Sequence, residues 1–272
     1  NFRFISPADK THALAYLLLF FVQKMINGRI PLHIFEADDP QTTSFLMRKL
    51  TPDRCVVLNN PTDSEFRRNV RQKLTCRPEE KVSAFCLENI SKLKLPALEL
   101  MLSAQQYSDR IPGKNKMIDT ENKWILAAAG QKVIIDTYMA RRCIKSRFVY
   151  NGKCPYFYSE DIENTNKIIQ SGLTLVQAWI AAGQPRMNKA TLGGFEKWSE
   201  IIGSIVTFHD YPDFLGNYRE LYDEADRDAA SAWGFLLTEW WKKFGSRAVT
   251  TGELLPIAES AEGIYLGKDD KE

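Results

Sequence analysis

The chain has 272 residues, 44% of them hydrophobic and 26% charged, with a net charge of +2. That length supports one large domain or two ordinary ones around a real core, and the balance of charge excludes a polycation that binds nucleic acid through its overall field. The longest apolar run, Ala13–Val22, is about half the roughly twenty residues of a membrane span, so it predicts a buried helix and no membrane partner.

Taken in chain order, Ser6 followed by Pro7 starts a first helix and Gly28 stops it. Leu32–Glu36 reads as a strand that enters a short polar loop, and a helix leaves the loop and runs to about Leu50. This strand, loop and helix have the layout of a phosphate-binding loop, yet Asp38 and Asp39 stand where phosphate would lie. Cys55–Leu58 is a second strand, and Asp63 caps a helix over Glu65–Leu74 that carries Arg67, Arg68, Arg71 and Lys73. Val82–Leu87 is a third strand, ending in Glu88-Asn89, and a helix follows around Pro96–Ala104. Tyr107–Ile118 has turn chemistry at its centre, Pro112-Gly113-Lys114-Asn115, between extendable arms. Trp124–Ala129 and Ser146–Tyr150 are the fourth and fifth strands. Apolar strands separated by helices predict an α/β fold with a mostly parallel sheet covered on both faces.

Past Asn151 helices dominate, and Gly152 and Pro155 mark a junction, which divides the chain into an α/β domain (1–150) and an all-helical C-terminal domain (151–272). Three stripes at helical spacing predict core-facing helices: Leu173, Val176, Ile180; Phe195, Trp198, Ile202, Ile205; and Trp233, Leu236, Leu237, Trp240, Phe244. Thr250 and Glu253 are spaced as a capping box ahead of Pro256. Five cysteines (Cys55, Cys76, Cys86, Cys143, Cys154), odd in number and without a CxxC pair, predict free thiols in a reducing cytoplasm and no metal site. His12, His33 and His209 read as packing or surface residues. The sequence opens at Asn1 without a methionine, and a piece of a larger protein is expected.

Several stretches carry a resemblance: the helix beginning Phe4-Ile5-Ser6-Pro7-Ala8-Asp9-Lys10, then Pro31–Ala37, Gly193–Ile205, Asp213–Asn217 and Trp233–Gly245. In order and wording they resemble the helicase half of phage- and plasmid-type primase-helicases, which are AAA+-like P-loop ATPases related to superfamily 3 helicases. The resemblance covers nearly the whole chain and rests on no single piece.

That resemblance implies where to look. In such proteins the loop after the first strand is a Walker A loop, whose backbone amides and lysine hold phosphate and whose Ser/Thr holds Mg²⁺. Aligned on Glu36-Ala37, the first glycine becomes Asp38, the second Thr43, the lysine Ser44 and the metal-binding hydroxyl Phe45. Each required function is lost, and Asp38 and Asp39 add repulsion toward a polyanion, so Mg-ATP hydrolysis is expected to be absent and no cofactor is expected. Glu88 and Asn89 stand at the Walker B position, Gln131 at the sensor position, and Arg141 and Arg142 match an arginine pair placed near a neighbouring subunit's phosphate. The segment Asp109–Asn122 corresponds to a β-hairpin that touches single-stranded DNA in superfamily 3 relatives, with Arg110 at its base and Lys114 and Lys116 at its tip; a solvated Gly-Lys turn reads the same residues without function. The expectation is a module of a mobile-element DNA replication protein that holds single-stranded DNA or assembles with itself or an active ATPase relative, downstream of a primase domain. The alternative is an ATP-driven helicase with an atypical P-loop, relying on Glu88, Arg141 and Arg142.

Overall fold

The structure, a computed structural model, describes residues 2–75, 82–110, 117–150 and 162–260. Its frame is a six-stranded sheet. In chain order the strands are β1 (Phe2–Phe4), β2 (Leu32–Glu36), β3 (Cys55–Asn59), β4 (Ala84–Glu88), β7 (Ile125–Gly130) and β8 (Cys143–Tyr150), arranged β1-β8-β2-β7-β4-β3. Every pairing is parallel except that of β1 with β8. The parallel order is compatible with a P-loop-like fold. A separate antiparallel hairpin joins β5 (Gln106–Arg110) to β6 (Met117–Glu121), so the predicted extendable arms are strands. Residues 111–116, including Lys114 and Lys116, lie outside the described residues.

Strand alternation explains the two layers of helices. Leu32 and Ile34 of β2 point into one hydrophobic cluster and Phe35 into another, because successive side chains leave a strand on opposite faces. On the first face lie α3 (Asp63–Thr75), α4 (Pro96–Ser103), the four-residue α5 (Thr137–Ala140) and the start of α8 (Tyr218–Phe244), through Phe66, Leu98, Met139 and Leu221. On the other lie α1 (Pro7–Val22), α2 (Pro40–Lys49), α6 (Ile162–Ala181) and α7 (Glu196–Phe208), through Tyr16, Met47, Trp179 and Trp198. The central strands β2, β4 and β7 are buried along their whole length, which is why they read as unbroken apolar runs.

The predicted strand positions fall on observed strands, whereas β1 and α5 carry too few residues to show a period. At the start of α1, Ser6 and Asp9 form a reciprocal capping box. The helix ends at Val22 rather than Gly28, since the chain tightens into a 3-10 turn over Gln23–Met25, held by the Gln23 side chain donating to the Lys123 carbonyl.

The helical stripes need two corrections. In α6 the inward residues are Val176 and Trp179, while Leu173 and Ile180 are exposed; Gly172 lies against Phe21 of α1 so closely that a Cβ would meet its ring at 2.3 Å. Gly183 then stops the helix at φ +84, a conformation that favours glycine. In α8 only Leu236 of the predicted stripe is buried, with Trp240 and Phe244 half-buried, while Trp233 and Leu237 are exposed. The α7 stripe faces the core as expected, with Phe195, Trp198, Ile202 and Ile205 all buried. The last helix, α9 (Thr251–Ser260), opens on the Thr250–Glu253 capping box and carries Pro256 within it. Among the described residues no helix is long and apolar enough to cross a membrane.

Candidate functional site at the carboxyl edge of the sheet

Because β2, β3, β4 and β7 run parallel, their carboxyl ends share one edge, where α/β sheets present ligand sites. The structure brings Asp38 and Asp39, Asn59 and Asn60, Glu88 and Asn89, and Gln131 to that edge. It leaves other predicted residues elsewhere. Arg142 precedes β8, and its carbonyl accepts from the Leu32 amide at the amino end of β2, so the arginine pair sits at the opposite edge. Five strand residues at about 3.3 Å each put roughly 16 Å between the two edges. The hairpin also springs from the amino edge, as its base at Asn122 is three residues before β7.

At the turn after β2 there is no open loop. Only three residues separate Glu36 from Pro40, the first residue of α2, so Thr43, Ser44 and Phe45 already lie inside the helix. Thr43 and Ser44 are buried, and Phe45 stacks on Phe2 of the edge strand with ring centres 6.1 Å apart. The N-terminus of α2, where unpaired amides attract anions, is already filled. Asp39 is its cap, accepting from the Thr42 amide at 2.8 Å and from the Thr42 hydroxyl. The Thr42 hydroxyl, then its amide, hold the Asp39 carboxyl below the usual range. Above it Gln131 donates its side-chain amide to the Asp38 carbonyl, closing the turn against β7.

Glu88 is likewise occupied. Its carboxylate takes a two-pronged ion pair from Arg48 on α2, with Nη2 to Oε2 at 2.6 Å and Nε to Oε1. Sequence spacing alone places Arg48 too far from the Ser44 position to act there; the structure shows that it reaches the next strand's carboxylate instead. Asn89 stands at φ +55 and donates to the Asn59 side chain at 2.7 Å. Gly130 has a packing reason to be glycine, since a Cβ there would lie 2.0 Å from the Ile90 carbonyl oxygen.

The arginine pair has contacts inside the chain. Arg142 donates to Ser103 Oγ at 3.0 Å and to the Tyr138 carbonyl at 2.6 Å while its guanidinium lies over the Tyr138 ring. Arg141 reaches the Tyr222 hydroxyl at 3.3 Å. The basic helix α3 is partly committed too. Arg71 grips Asp109 of the hairpin at 2.6 and 3.1 Å, and the Tyr107 hydroxyl donates to the same carboxylate at 2.8 Å. Burial would raise the Asp109 carboxyl, but these bonds hold it below its ordinary value. Asp109 pairs with Ile118 and the exposed Arg110 with Met117, so Arg71 holds the far end of β5 and Arg110 lies beside the turn rather than at the base of the hairpin as expected.

A buried charged network was not visible in the sequence. Lys145 of β8 is 5% exposed and bridges Glu36 at 3.1 Å and Glu224 of α8 at 2.7 Å, while Glu36 also accepts the Val133 amide at 2.8 Å. Arg147 adds contacts to Asp9, Glu220 and Glu224. Beside it His12 bonds the Lys145 carbonyl through Nδ1 and accepts the Leu215 amide at Nε2, a pattern that fixes the neutral ring with its proton on Nδ1. A signal existed: Glu36 closes the strand run Leu32–Glu36 and Lys145 follows Cys143-Ile144, and an ion buried in a strand has to be paired. Among the described residues no three His, Cys, Asp or Glu side chains group to hold a metal ion.

No protein-family model and no curated protein matches the sequence. Among solved structures, the apo A form of the C-terminal region of NrS-1 (residues 305–718) is similar at 13% identity and a TM-score of 0.35, over 90% of this chain and 57% of that one. The chain spans little more than half of that structure.

Proposed function

We propose that the chain is an AAA+-like module of a mobile-element, phage- or plasmid-type DNA replication protein that has lost ATP hydrolysis and serves as a DNA-binding or assembly scaffold. The observation that carries this reading is the filling of the site by the chain's own groups. The Asp39 carboxylate takes the amides of α2 that would receive phosphate, and Arg48 neutralises the Glu88 carboxylate that would work with Mg²⁺. A triphosphate entering here meets an anion where it needs donors, and no lysine stands at the head of the helix. Residues 1–150 make up the P-loop-type module in this reading and 151–272 its helical domain, in the cytoplasm and downstream of a primase domain. Single-stranded DNA runs along the hairpin, held by Arg110, Lys114 and Lys116 through phosphate contacts that ignore sequence.

Calorimetry with Mg-ATP tests the first part. No heat of binding is expected at millimolar nucleotide, and micromolar affinity or steady turnover would restore the competing reading of an ATP-driven helicase. Fluorescence anisotropy with a labelled single strand tests the second. Salt-sensitive binding supports it, and its absence at low salt removes the hairpin from the proposal.

A further inference from the structure

The two halves of α8 have different neighbours. Its first half packs on the sheet layer through Leu221 and Ala225; beyond Ala229, among the described residues, Ala232 and Leu236 are buried, and Leu236 clusters with Ile257 and Ala258 of α9. About 100° round the helix from Leu236, Trp233, Leu237 and Trp241 are 57%, 55% and 68% exposed. At 100° per residue these three positions, with Ala230, fall on one face, and no charged residue shares it between Ala230 and Phe244. Three large apolar side chains left in water on one helix face mark an interaction surface rather than a scatter of exposed residues.

We propose that this face pairs with the same face of a second copy of the chain, the two α8 helices lying antiparallel about a twofold axis at Leu237. The positions are symmetric about that residue, with Trp233 and Trp241 each four residues away, so each Trp233 meets the partner's Trp241 and Leu237 meets itself, as a closed twofold contact demands. Where one helix ends at Phe244, the mirrored position is Ala230, and the charges at Asp223 and Asp226 lie beyond the overlap. The basic end of one copy, Lys242 to Arg247, then approaches those aspartates of the other. Nucleic acid fits the face less well. Bases stack on aromatics that line a cationic groove, whereas this face carries no charged residue between Ala230 and Phe244. Half to two-thirds of three side chains of about 150–250 Å² gives roughly 350 Å² per copy, well under the ~800 Å² of a standard stable interface. The dimer is therefore weak and dependent on concentration.

Sedimentation equilibrium of the whole chain from micromolar to millimolar concentration tests the pairing, together with cysteine cross-linking judged against the wild-type thiols. The average mass is expected to rise toward the dimer value in wild type. In Leu237→Glu, where two carboxylates would meet on the axis, it should stay at the monomer value. Leu237→Cys should cross-link to itself, and Trp233→Cys only when mixed with Trp241→Cys. A monomer throughout the range overturns the proposal, as does an unchanged mass in Leu237→Glu or Trp233→Cys linking to itself as readily as to Trp241→Cys. None of these outcomes bears on nucleotide binding, so the functional reading above stands or falls separately.

Discussion

Replacing Arg48 by methionine removes the cation that holds Glu88 while keeping most of the side-chain volume. The Glu88 side chain is only 9% exposed, so its carboxylate would be left in a poorly hydrated place without a counter-charge. Breaking a fully buried pair costs about 3–5 kcal/mol. Arg48 itself is 32% exposed, and solvent screening of that end lowers the expected loss to about 1–3 kcal/mol. The reverse change, Glu88→Gln, leaves an arginine that can turn toward water and an amide that still accepts a hydrogen bond, so it is expected to cost less, about 1 kcal/mol. The double variant Arg48→Met/Glu88→Gln buries no unpaired charge and should recover most of the loss seen in Arg48→Met, giving a coupling energy of about 1 kcal/mol or more. Urea unfolding followed by circular dichroism measures all four proteins, with unchanged m-values required for the comparison. If the single losses simply add to within about 0.3–0.5 kcal/mol, the pair does not hold the site and the account of Glu88 as a neutralised carboxylate fails.

Three further outcomes follow from the same geometry. Burial pushes His33 well below its ordinary value and His12 below its own, so both are neutral when folded and charge on unfolding; stability is full above about pH 6.5 and falls below it by about 1.4 kcal/mol per pH unit and per histidine, until the lowered folded values are reached. In His33→Leu that slope should halve, and equal slopes in wild type and variant would exclude the mechanism. Lys145→Met leaves Glu36 and Glu224 facing one another without their shared cation, and a loss of about 3–5 kcal/mol in urea unfolding is expected; a neutral or stabilised variant would mean that the carboxylates take up protons or move apart. Replacing Lys114 and Lys116 together by alanine should weaken single-strand binding at low salt and reduce the slope of log affinity against log salt by about 1.4, and an unchanged slope would place the phosphate contacts elsewhere.

Repeating apolar patterns made most of the frame legible from the residues alone. Runs such as Val82–Leu87 and Trp124–Ala129, separated by capped helices, announced a parallel sheet covered on both faces because a strand buried on both faces has no polar side. The Ser6 and Thr250 caps and the inward face of α7 were equally plain, each being decided within one helical turn. That Asp38–Phe45 contains no glycine and no lysine was visible too, since it depends on which side chains are present and not on where they point. What those residues and their neighbours contact depended on the fold. Arg48 and Glu88 are forty residues apart, and Lys145 and Glu224 seventy-nine; only the crossing of strands and helices brings them within reach. The exposure of Trp233 and Leu237 was decided the same way, because a helical stripe fixes which residues share a face but not what, if anything, lies against it.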